Sequence, residues 1–286
     1  AHYDTHDWKF RVVEDGETIS TGKRTLHFIN TPMVHWPESM FTYVPAEKIL
    51  FSMDAFGQHY AAANRFDDKE PIATVMQEAK TYFANIVMLY GKPIQRTLDK
   101  ASNMEIDLIA PSHGVIWRSN IDAILAAYRE WIEHKAANKV LVAYDTMWGS
   151  TQKMAKAIMD GVLESDTQAC LINLREGDFT RLATEVLDSA AIAVGSPTLN
   201  KTLMPQVAAA LTYLKGLAPK QKAGFAFGSY GWSSGAAQDV ESYLDAMKFE
   251  VLREPLSCRY VPDDKVLEEC REAGRMLAAK ALENQK

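Results

Sequence analysis

The second half of this sequence predicts an α/β fold built on a doubly wound, five-stranded parallel sheet. From Lys139 onward, short apolar runs alternate with amphipathic helical segments, five times in succession. Before that point the pattern is mixed, with strand-like segments first and helical segments later. We therefore predict two domains, with residues 1–138 forming the first and residues 139–286 the second.

The first segment predicts a mixed β and α domain. Apolar and polar residues alternate, or short apolar runs stand beside turn residues, as half-buried strands require. The strands are predicted at residues 8–13, 25–29, 40–44, 48–52 and 107–110. Helical spacing of apolar residues predicts helices at residues 72–89 and 120–134, the second of them capped by Asn120.

The second segment predicts five β–α units. The strands are predicted at residues 139–144, 168–174, 190–195, 223–228 and 249–252, the last running on past Pro255. The helices are predicted at residues 152–163, 179–187, 205–214, 235–247 and 264–282. In such a sheet, ligands bind beyond the carboxyl ends of the strands, at the point where the strand order reverses.

Composition excludes several classes of partner. Of 286 residues, 47% are hydrophobic and 24% charged, as in globular proteins, and the net charge of −6 disfavours nucleic acid or an anionic membrane as the main partner. No apolar run approaches the roughly 20 residues of a membrane span. The three cysteines form no Cys-x-x-Cys pair, which predicts a reducing, cytoplasmic location. One buried disulfide is the alternative.

The loop after the first predicted parallel strand is typical of a phosphate site. Residues 144–151 read Tyr-Asp-Thr-Met-Trp-Gly-Ser-Thr between an apolar run and an amphipathic helix. Backbone N–H groups and the helix dipole favour an anion there, and Thr146, Ser150 and Thr151 add hydroxyls. The loop has no Lys or Arg and no Gly-Lys-Ser/Thr ending, which predicts a single phosphomonoester and not a nucleoside triphosphate.

Two further loops are predicted at the same edge of the sheet. Residues 195–202 follow the third strand and residues 228–235 the fourth, and both are rich in glycine, hydroxyl or aromatic residues. Each loop alone is compatible with ordinary turn chemistry. Together they predict a site for a flat, partly apolar ring, on which Trp148, Tyr230 or Trp232 can stack.

These loops resemble those of flavodoxins, because Thr146, Gly149 and Thr151 follow the hydroxyl-x-x-Gly-x-hydroxyl pattern. Trp148 departs from simple flavodoxins, which carry a third hydroxyl there. The resemblance implies FMN. Around its phosphate it places Thr146, Met147, Trp148, Gly149, Ser150 and Thr151. Around its ring it places Pro197, Thr198, Leu199 and Asn200 on one side and Ser229, Tyr230, Gly231, Trp232 and Gly235 on the other.

Three potential metal ligands stand in the first segment. His35, Asp54 and His113 each lie where a predicted strand gives way to a loop. Two imidazoles and a carboxylate suit a borderline metal such as iron or zinc. Spacing alone does not separate this interpretation from solvated loop histidines.

The sequences around these residues resemble the second half of the metallo-β-lactamase-like αββα domain of flavodiiron proteins, the A-type flavoproteins in which that domain precedes a flavodoxin domain. The resemblance implies that His35 in His-Trp-Pro ligates one iron, that Asp54 in Asp-Ala-Phe-Gly-Gln bridges two irons, and that His113 in Ser-His-Gly ligates the other. It would make these three residues the catalytic centre.

One part of the family pattern does not occur in these 286 residues. The His-x-Glu-x-Asp-His motif, which supplies the other four ligands in the family, is absent, and in the family it lies upstream of the part that this sequence resembles. Three ligands do not complete a dinuclear site. We expect either that a complementary N-terminal chain or segment supplies the rest, with tight self-association as a further way to cover the exposed surface, or that the site is incomplete.

The family resemblance implies an oxidoreductase. Electrons would pass from a rubredoxin-like donor through FMN to two non-haem irons, where O2 is reduced to water or NO to nitrous oxide, in a head-to-tail homodimer. The sequence has no cysteine pairs of rubredoxin type, so the donor is expected to be a separate protein. The alternatives are a flavodoxin-type electron carrier without a working diiron site and, less compatible with the flavin loops, a zinc hydrolase.

Overall fold

The computed structural model describes residues 4–283. The chain divides into two compact units, the first formed by residues up to Ala79 with Lys92–Ala126 and the second by Lys80–Gly91 with residues from Ala127 onward. The predicted domain boundary between residues 138 and 139 stays a prediction. The outermost residues of the two predicted domains, 1–3 and 284–286, lie outside the described residues.

The secondary structure follows the predicted order closely. The strands are β1 (Thr18–Ser20), β2 (Thr25–Asn30), β3 (Met40–Val44), β4 (Ile49–Met53), β5 (Leu108–Pro111), β6 (Ala137–Tyr144), β7 (Gln168–Asn173), β8 (Ser189–Gly195), β9 (Ala223–Tyr230), β10 (Glu250–Val251) and β11 (Leu256–Arg259). The α-helices are α1 (Ile72–Tyr82), α2 (Gly91–Ala101), α3 (Ile121–Ile132), α4 (Ser150–Val162), α5 (Phe179–Asp188), α6 (Pro205–Leu217), α7 (Ala236–Ala246) and α8 (Asp264–Glu283).

The first unit contains a five-stranded sheet in the order β1-β2-β3-β4-β5. Neighbours from β1 to β4 are antiparallel, whereas β4 and β5 are parallel. Phe41, Leu50 and Ile109 are buried in its core. Because β4 and β5 run in the same direction, the loops that follow them leave the sheet at the same edge.

A buried carboxylate organises the loop before α3. Asp67 is fully buried and accepts hydrogen bonds of 2.8 to 3.3 Å from the backbone N–H groups of Arg118, Ser119 and Asn120 and from Asn120 Nδ2. Three backbone donors and one amide stabilise a carboxylate that would otherwise be costly to bury. Asn120 therefore uses its side chain to hold Asp67.

The second unit contains a parallel sheet in the order β10-β9-β8-β6-β7, with β11 also paired to β9. The single predicted last strand is two short strands, β10 and β11, both parallel to β9. α4 and α8 cover one face, where Met154, Ile158 and Leu277 pack in a cluster with alternate residues of the central strands. The predicted doubly wound sheet is confirmed, and its order reverses between β6 and β8.

Two differences from the predicted elements have simple causes. The alternating segment at residues 8–13 forms no strand, and its Trp8, Phe10 and Val12 are exposed. Alternation favours a strand only where a neighbour pairs with it. Helix α2 was not among the predicted elements. Gly91 and Pro93 disfavour a helix, but Pro93 lies in its first turn, where the missing N–H is tolerated.

The amino edge of the parallel sheet contains buried charges. Asp188 accepts Lys80 Nζ at 2.6 Å and Lys139 Nζ at 2.9 Å. Lys222 is buried, and its Nζ donates to the carbonyl oxygen of Leu187 at 2.8 Å. Burial lowers the Lys222 pKa to about 7. Asp188 and Lys222 thus find their partners inside the protein.

His134 is buried at the same edge, two residues after the end of α3. Burial, with smaller contributions from the charges of Lys222 and Lys220, lowers its pKa to about 4. Its Nδ1 accepts the backbone N–H of Lys220 at 3.4 Å, which also favours the neutral imidazole. His134 therefore stays uncharged in the folded protein near neutral pH.

Two expectations drawn from the composition concern the state of the cysteines and the presence of membrane-spanning helices. Cys170, Cys258 and Cys270 are free thiols. Within residues 4–283 no helix combines the length and the apolar character that crossing a bilayer requires.

Candidate functional site

The phosphate loop predicted in the second unit leads from β6 into α4. Gly149 has a φ of +86° and precedes the first residue of α4, Ser150. The backbone N–H of Gly149 donates to Thr146 Oγ1 at 3.0 Å, which closes the loop. The first N–H groups of α4 have no partner within the helix, so this loop presents donors and a positive dipole end to an anion.

Asp145 fixes the beginning of that loop. It is fully buried, and its carboxylate accepts the backbone N–H of Thr146 at 2.6 Å and Arg175 Nε at 3.0 Å. The Arg175 charge compensates the buried carboxylate next to a site that favours anions. The sequence prediction missed this pair, although an acidic residue directly after a buried strand is a recognisable signal.

Hydrogen bonds join the three predicted loops. The Thr151 and Ser229 hydroxyls are 2.9 Å apart and connect the first loop with the third. The backbone N–H of Thr198 donates to the Ser229 carbonyl oxygen at 2.8 Å, and the N–H of Ala236 donates to Thr198 Oγ1 at 3.3 Å. The carboxyl ends of β6, β8 and β9 therefore carry one connected structure and not three independent turns.

These loops enclose a cleft of about 650 Å³. Most of the residues predicted to bind FMN line it. They are Met147, Trp148, Ser150, Pro197, Thr198, Leu199, Asn200, Ser229, Tyr230, Gly231 and Trp232. Trp148 and Trp232 are both 92% exposed, so their rings are accessible for stacking.

The other predicted residues stand behind the lining. Thr146 and Gly149 are bonded to each other, and Thr151 is buried against Ser229. Gly235 precedes α7, and a Cβ there would be 2.3 Å from the Lys201 carbonyl oxygen, so only glycine fits. These four residues shape the cleft from outside it.

Four lining residues were not predicted: Lys201, Ser233, Tyr260 and Val261. Lys201 and Ser233 stood inside the loops already singled out, so loop membership was the available signal. Tyr260 follows β11, and its backbone N–H donates to the Tyr230 carbonyl oxygen at 2.7 Å. Its place depends on the long-range pairing of β11 with β9, which local sequence does not reveal.

The cleft has the properties that a flavin mononucleotide requires. A neutral, hydroxyl-rich helix N-terminus suits a phosphate, and exposed aromatic rings with backbone polar groups suit a flat heteroaromatic ring. A volume of about 650 Å³ falls in the range of small-molecule sites. The residues present therefore fit FMN.

In the first unit, the structure brings together the three predicted metal ligands. His35 Nε2 is 3.3 Å from Asp54 Oδ2, and His113 Nε2 is 3.3 Å from Asp54 Oδ1. Each carboxylate oxygen therefore faces a different imidazole. Asp54 and His35 are largely buried, whereas His113 is more exposed.

Gln58 ties the Asp54 loop to the His113 loop. Its buried side chain accepts the Val115 backbone N–H at 2.7 Å and donates to the Phe56 carbonyl oxygen at 2.9 Å, and its own N–H donates to the His113 carbonyl oxygen. Gly114 has a φ of +81°, and a Cβ there would be 2.0 Å from Gln58 Oε1. The sequence prediction missed this role of Gln58 and Gly114.

The strand ends also position Asp54. Its neighbour Met53 has a φ of +52° and accepts the Ser112 backbone N–H at 2.6 Å, and Phe56 has a φ of +64°. Left-handed conformations at bulky residues are uncommon and concentrate at functional sites. The geometry holds one carboxylate where β4 ends beside β5.

The donor set fits part of a dinuclear metal centre. In the portion of the chain that the structure describes, no three His, Cys, Asp or Glu side chains surround one point as ligands of a single ion. A carboxylate with one imidazole on each oxygen instead suits a bridge between two ions. Each ion would receive two protein ligands, fewer than a stable centre needs.

Comparison with known proteins agrees with both units. Residues 1–114 match the family model "ODP family beta lactamase", and residues 142–274 match the model "Flavodoxin". A nitric oxide reductase from Moorella thermoacetica is 45% identical over 283 residues, which cover 98% of this chain and 71% of that protein. The chain belongs to the flavodiiron protein family.

Further relatives support the membership. The rubredoxin-oxygen oxidoreductase of Megalodesulfovibrio gigas is 36% identical, with 97% of this chain and 70% of that protein covered. The crystal structure of the flavodiiron protein from Giardia intestinalis is 40% identical and superposes with a TM-score of 0.93, covering 96% of this chain and 68% of that one.

The two family-model matches confirm the predicted fold class of this chain, a flavodoxin-like sheet preceded by a β-lactamase-like domain. The family name itself states a flavin and a pair of irons, which agrees with the predicted cofactors, FMN and two non-haem irons. The roles of the individual site residues remain predictions.

Proposed function

We propose that this chain is an FMN- and diiron-dependent oxidoreductase, which takes electrons from a rubredoxin-like donor and reduces O2 to water or NO to nitrous oxide. The observation that carries the proposal is the pair of imidazoles on opposite oxygens of Asp54. The flavin-sized cleft in the same chain supports it. Curated relatives named nitric oxide reductase and rubredoxin-oxygen oxidoreductase point to the same chemistry.

In the cleft, the residues of the protein would bind and orient FMN. Ser150 at the start of α4, with the loop N–H groups, would hold the phosphate. The Asp145 and Arg175 pair keeps the loop in place. Trp148 and Trp232 would shield the ring. Bound FMN supplies the transfer of single electrons.

In the first unit, the fold positions the side chains that would ligate the two irons. His35 would hold one iron, His113 the other, and Asp54 would contribute to both; Gln58 sets the distance between the two loops. A pair of non-haem irons supplies the reductive chemistry toward O2 or NO. The remaining ligands come from a complementary chain or segment, which also covers the exposed Trp8 and Phe10.

The second candidate is a flavodoxin-type electron carrier. The number of ligands favours it, because His35, Asp54 and His113 alone leave both ions undercoordinated. In that case the cleft works and the metal centre does not. We propose a cytoplasmic protein in either case, consistent with its three free cysteines.

Metal and flavin analysis of one purified sample separates the two candidates. We expect about two irons per FMN, by analogy with a bridged pair, and consumption of O2 or NO when a reduced rubredoxin is supplied. A yellow, iron-free protein would support the electron carrier, and a colourless protein that does not bind added FMN would contradict both proposals.

A second measurement concerns assembly. We propose a head-to-tail homo-oligomer, a complex with a complementary N-terminal chain, or both. Size-exclusion chromatography with light scattering and intact-mass analysis gives the composition. A monodisperse single copy of this chain would contradict the assembly proposal without affecting the assignment of the cleft.

A further inference from the structure

The turn at the rim of the FMN cleft holds a lysine in an unusual conformation. Leu199 and Thr202 exchange backbone hydrogen bonds of 2.9 and 3.0 Å, so Asn200 and Lys201 form a two-residue turn between them. Their φ angles are +50° and +69°. A turn with two left-handed residues favours Asn followed by Gly, and the chain carries Lys at the glycine position.

This turn is held rigidly. Thr202 Oγ1 donates to Asp239 Oδ2 at 2.5 Å, which ties the turn to the first residues of α7. The Lys201 carbonyl oxygen lies against Gly235, where a Cβ would be 2.3 Å away. The backbone position of Lys201 is therefore fixed from both sides, and a long side chain is kept where glycine would be less strained.

Lys201 gives the cleft its charge. Among the described residues that line the cleft, it alone carries a charged side chain. Within residues 4–283 the structure shows no carboxylate paired with its ammonium group, although many other lysines of the chain have one, for example Lys280 with Glu250. The ammonium group is thus available to interact with whatever occupies the cleft.

We propose that Lys201 raises the reduction potential of the flavin by stabilising the reduced ring. This inference rests on the proposed binding of FMN. Uptake of two electrons and one proton converts the neutral oxidised ring into a reduced ring with one negative charge, and a nearby cation favours the charged form. Lys201 is exposed, so salt screens the attraction.

The test is a redox titration of the purified, FMN-loaded protein, with dithionite as the electron source. K201Q removes the charge, and K201R keeps it. Lys248 provides a matched control, since it is also exposed and left-handed, with a φ of +61°, but lies two residues before β10 at the amino edge of the sheet. K248Q therefore removes a comparable charge far from the cleft.

We expect K201Q to disfavour the reduced flavin about tenfold at low salt, which is about 30 mV for two electrons, and about threefold at high salt. K201R and K248Q should match the unmodified protein. An unchanged potential in K201Q, or an equal shift in K248Q, would overturn the proposal. If K201Q lowered FMN affinity without moving the potential, Lys201 would be a binding residue and the proposal would be wrong.

Two further measurements separate a structural role from the electrostatic one. The substitution K201G relieves the backbone strain of the left-handed residue in the turn. This variant should therefore unfold at the same or a higher denaturant concentration, and its flavin should still show the lower reduction potential of K201Q. The FMN content of the unmodified protein is measured first. Failure to bind FMN there would contradict the proposed function itself, whereas a normal content with no shift in K201Q would contradict only the role of Lys201.

Discussion

The two candidate sites of this chain are positioned by the same device but differ in completeness. In each, hydrogen bonds join segments at the carboxyl ends of parallel strands: Thr151 after β6 to Ser229 at the end of β9 in the cleft, and Gln58 to Val115 beside the predicted metal ligands. The cleft is lined by three loops and the segment after β11, all from one sheet. The candidate metal centre has three predicted ligands for two ions.

The difference follows from the chemistry of each ligand. A flavin needs a shaped cavity, a stacking surface and neutral donors, and consecutive β–α units of a single sheet supply all of these. A pair of multiply charged ions needs many charged or imidazole ligands around a small volume, which must be drawn from several loops. The three predicted ligands of the first unit are therefore fewer than a pair of ions needs, whereas one sheet supplies the whole lining of the cleft.

The largest expected effect is the loss of iron in D54N. The amide keeps the shape of the side chain but removes the charge that faces both imidazoles at 3.3 Å. We expect the iron content to fall to about a tenth or less, since metal affinity depends on deprotonated, anionic ligands. Metal analysis and the flavin spectrum of the same sample measure this, and the flavin content should not change.

The control for D54N is D68N. Asp68 lies in the same unit and pairs with Arg118 at 3.0 Å, away from the two imidazoles. Its replacement should leave iron unchanged. Retention of iron by D54N would mean that the metal lies elsewhere, and the contrast between the two sites would disappear.

The next effect concerns how the metal ligands are positioned. In G114A, a methyl group would meet Gln58 Oε1 at 2.0 Å and the Gln58 carbonyl oxygen at 2.6 Å. We expect the free energy of unfolding to fall by about 3 kcal/mol or more, because the Gln58 bridge must break. Chemical denaturation followed by circular dichroism measures the loss.

Gly16 offers a matched control for G114A. Its φ is +84°, close to the +81° of Gly114, but nothing lies within 4 Å of its Cβ position. G16A therefore reports backbone strain alone, about 1 kcal/mol. Equal losses in the two variants would contradict the role of the Gln58 bridge.

Much of the second unit could be predicted from sequence because its strands are buried on both faces. Runs such as residues 140–143 are continuously apolar, and turn residues separate them from amphipathic helices. In the first unit, the alternating segment at residues 8–13 was indistinguishable from a strand, although it has no pairing there. Strand pairing is non-local, and alternation alone does not establish it.

The candidate sites also divide into features that local sequence predicts and features that depend on distant contacts. Loop residues at strand ends were predictable, since chain order places them at one edge. The side chains that fix those loops were not. Gln58, Asp145 and Arg175 act through contacts such as Arg175 Nε with Asp145 at 3.0 Å, which join residues 30 positions apart. Local sequence does not encode such contacts.

A third prediction concerns the stability of the folded protein at acidic pH. His134 has a pKa lowered from 6.5 to about 4 in the folded protein, so the unfolded chain binds more protons between those values. Its contribution to the free energy of unfolding is full above pH 6.5 and is lost as the pH falls toward 4. The loss amounts to about 3 kcal/mol at 1.4 kcal/mol per pKa unit.

H134N tests this prediction. Asparagine tolerates the φ of +52° at this position and does not titrate. Denaturation between pH 4 and 7 should therefore show a flatter profile in H134N, whereas H6N, which replaces an exposed histidine, should keep the steep one. An unchanged slope in H134N would mean that other groups control acid sensitivity, and that the sheet carrying the cleft does not depend on this buried imidazole.

The smallest effect tests whether the loops of the cleft act as one structure. T151V removes the hydroxyl that lies 2.9 Å from Ser229 Oγ while keeping the volume of a buried side chain. We expect the FMN dissociation constant to rise about tenfold, equal to about 1.4 kcal/mol for one hydrogen bond.

The control for T151V is T212V. It removes an exposed hydroxyl of α6 that lies 3.2 Å from the Tyr243 hydroxyl, and this variant should bind FMN normally. Fluorescence titration of the flavin-free protein measures both constants. Equal affinities in T151V and T212V would show that the cleft does not need the connection between its loops, and the cleft and the metal centre would then differ in how they are held as well as in completeness.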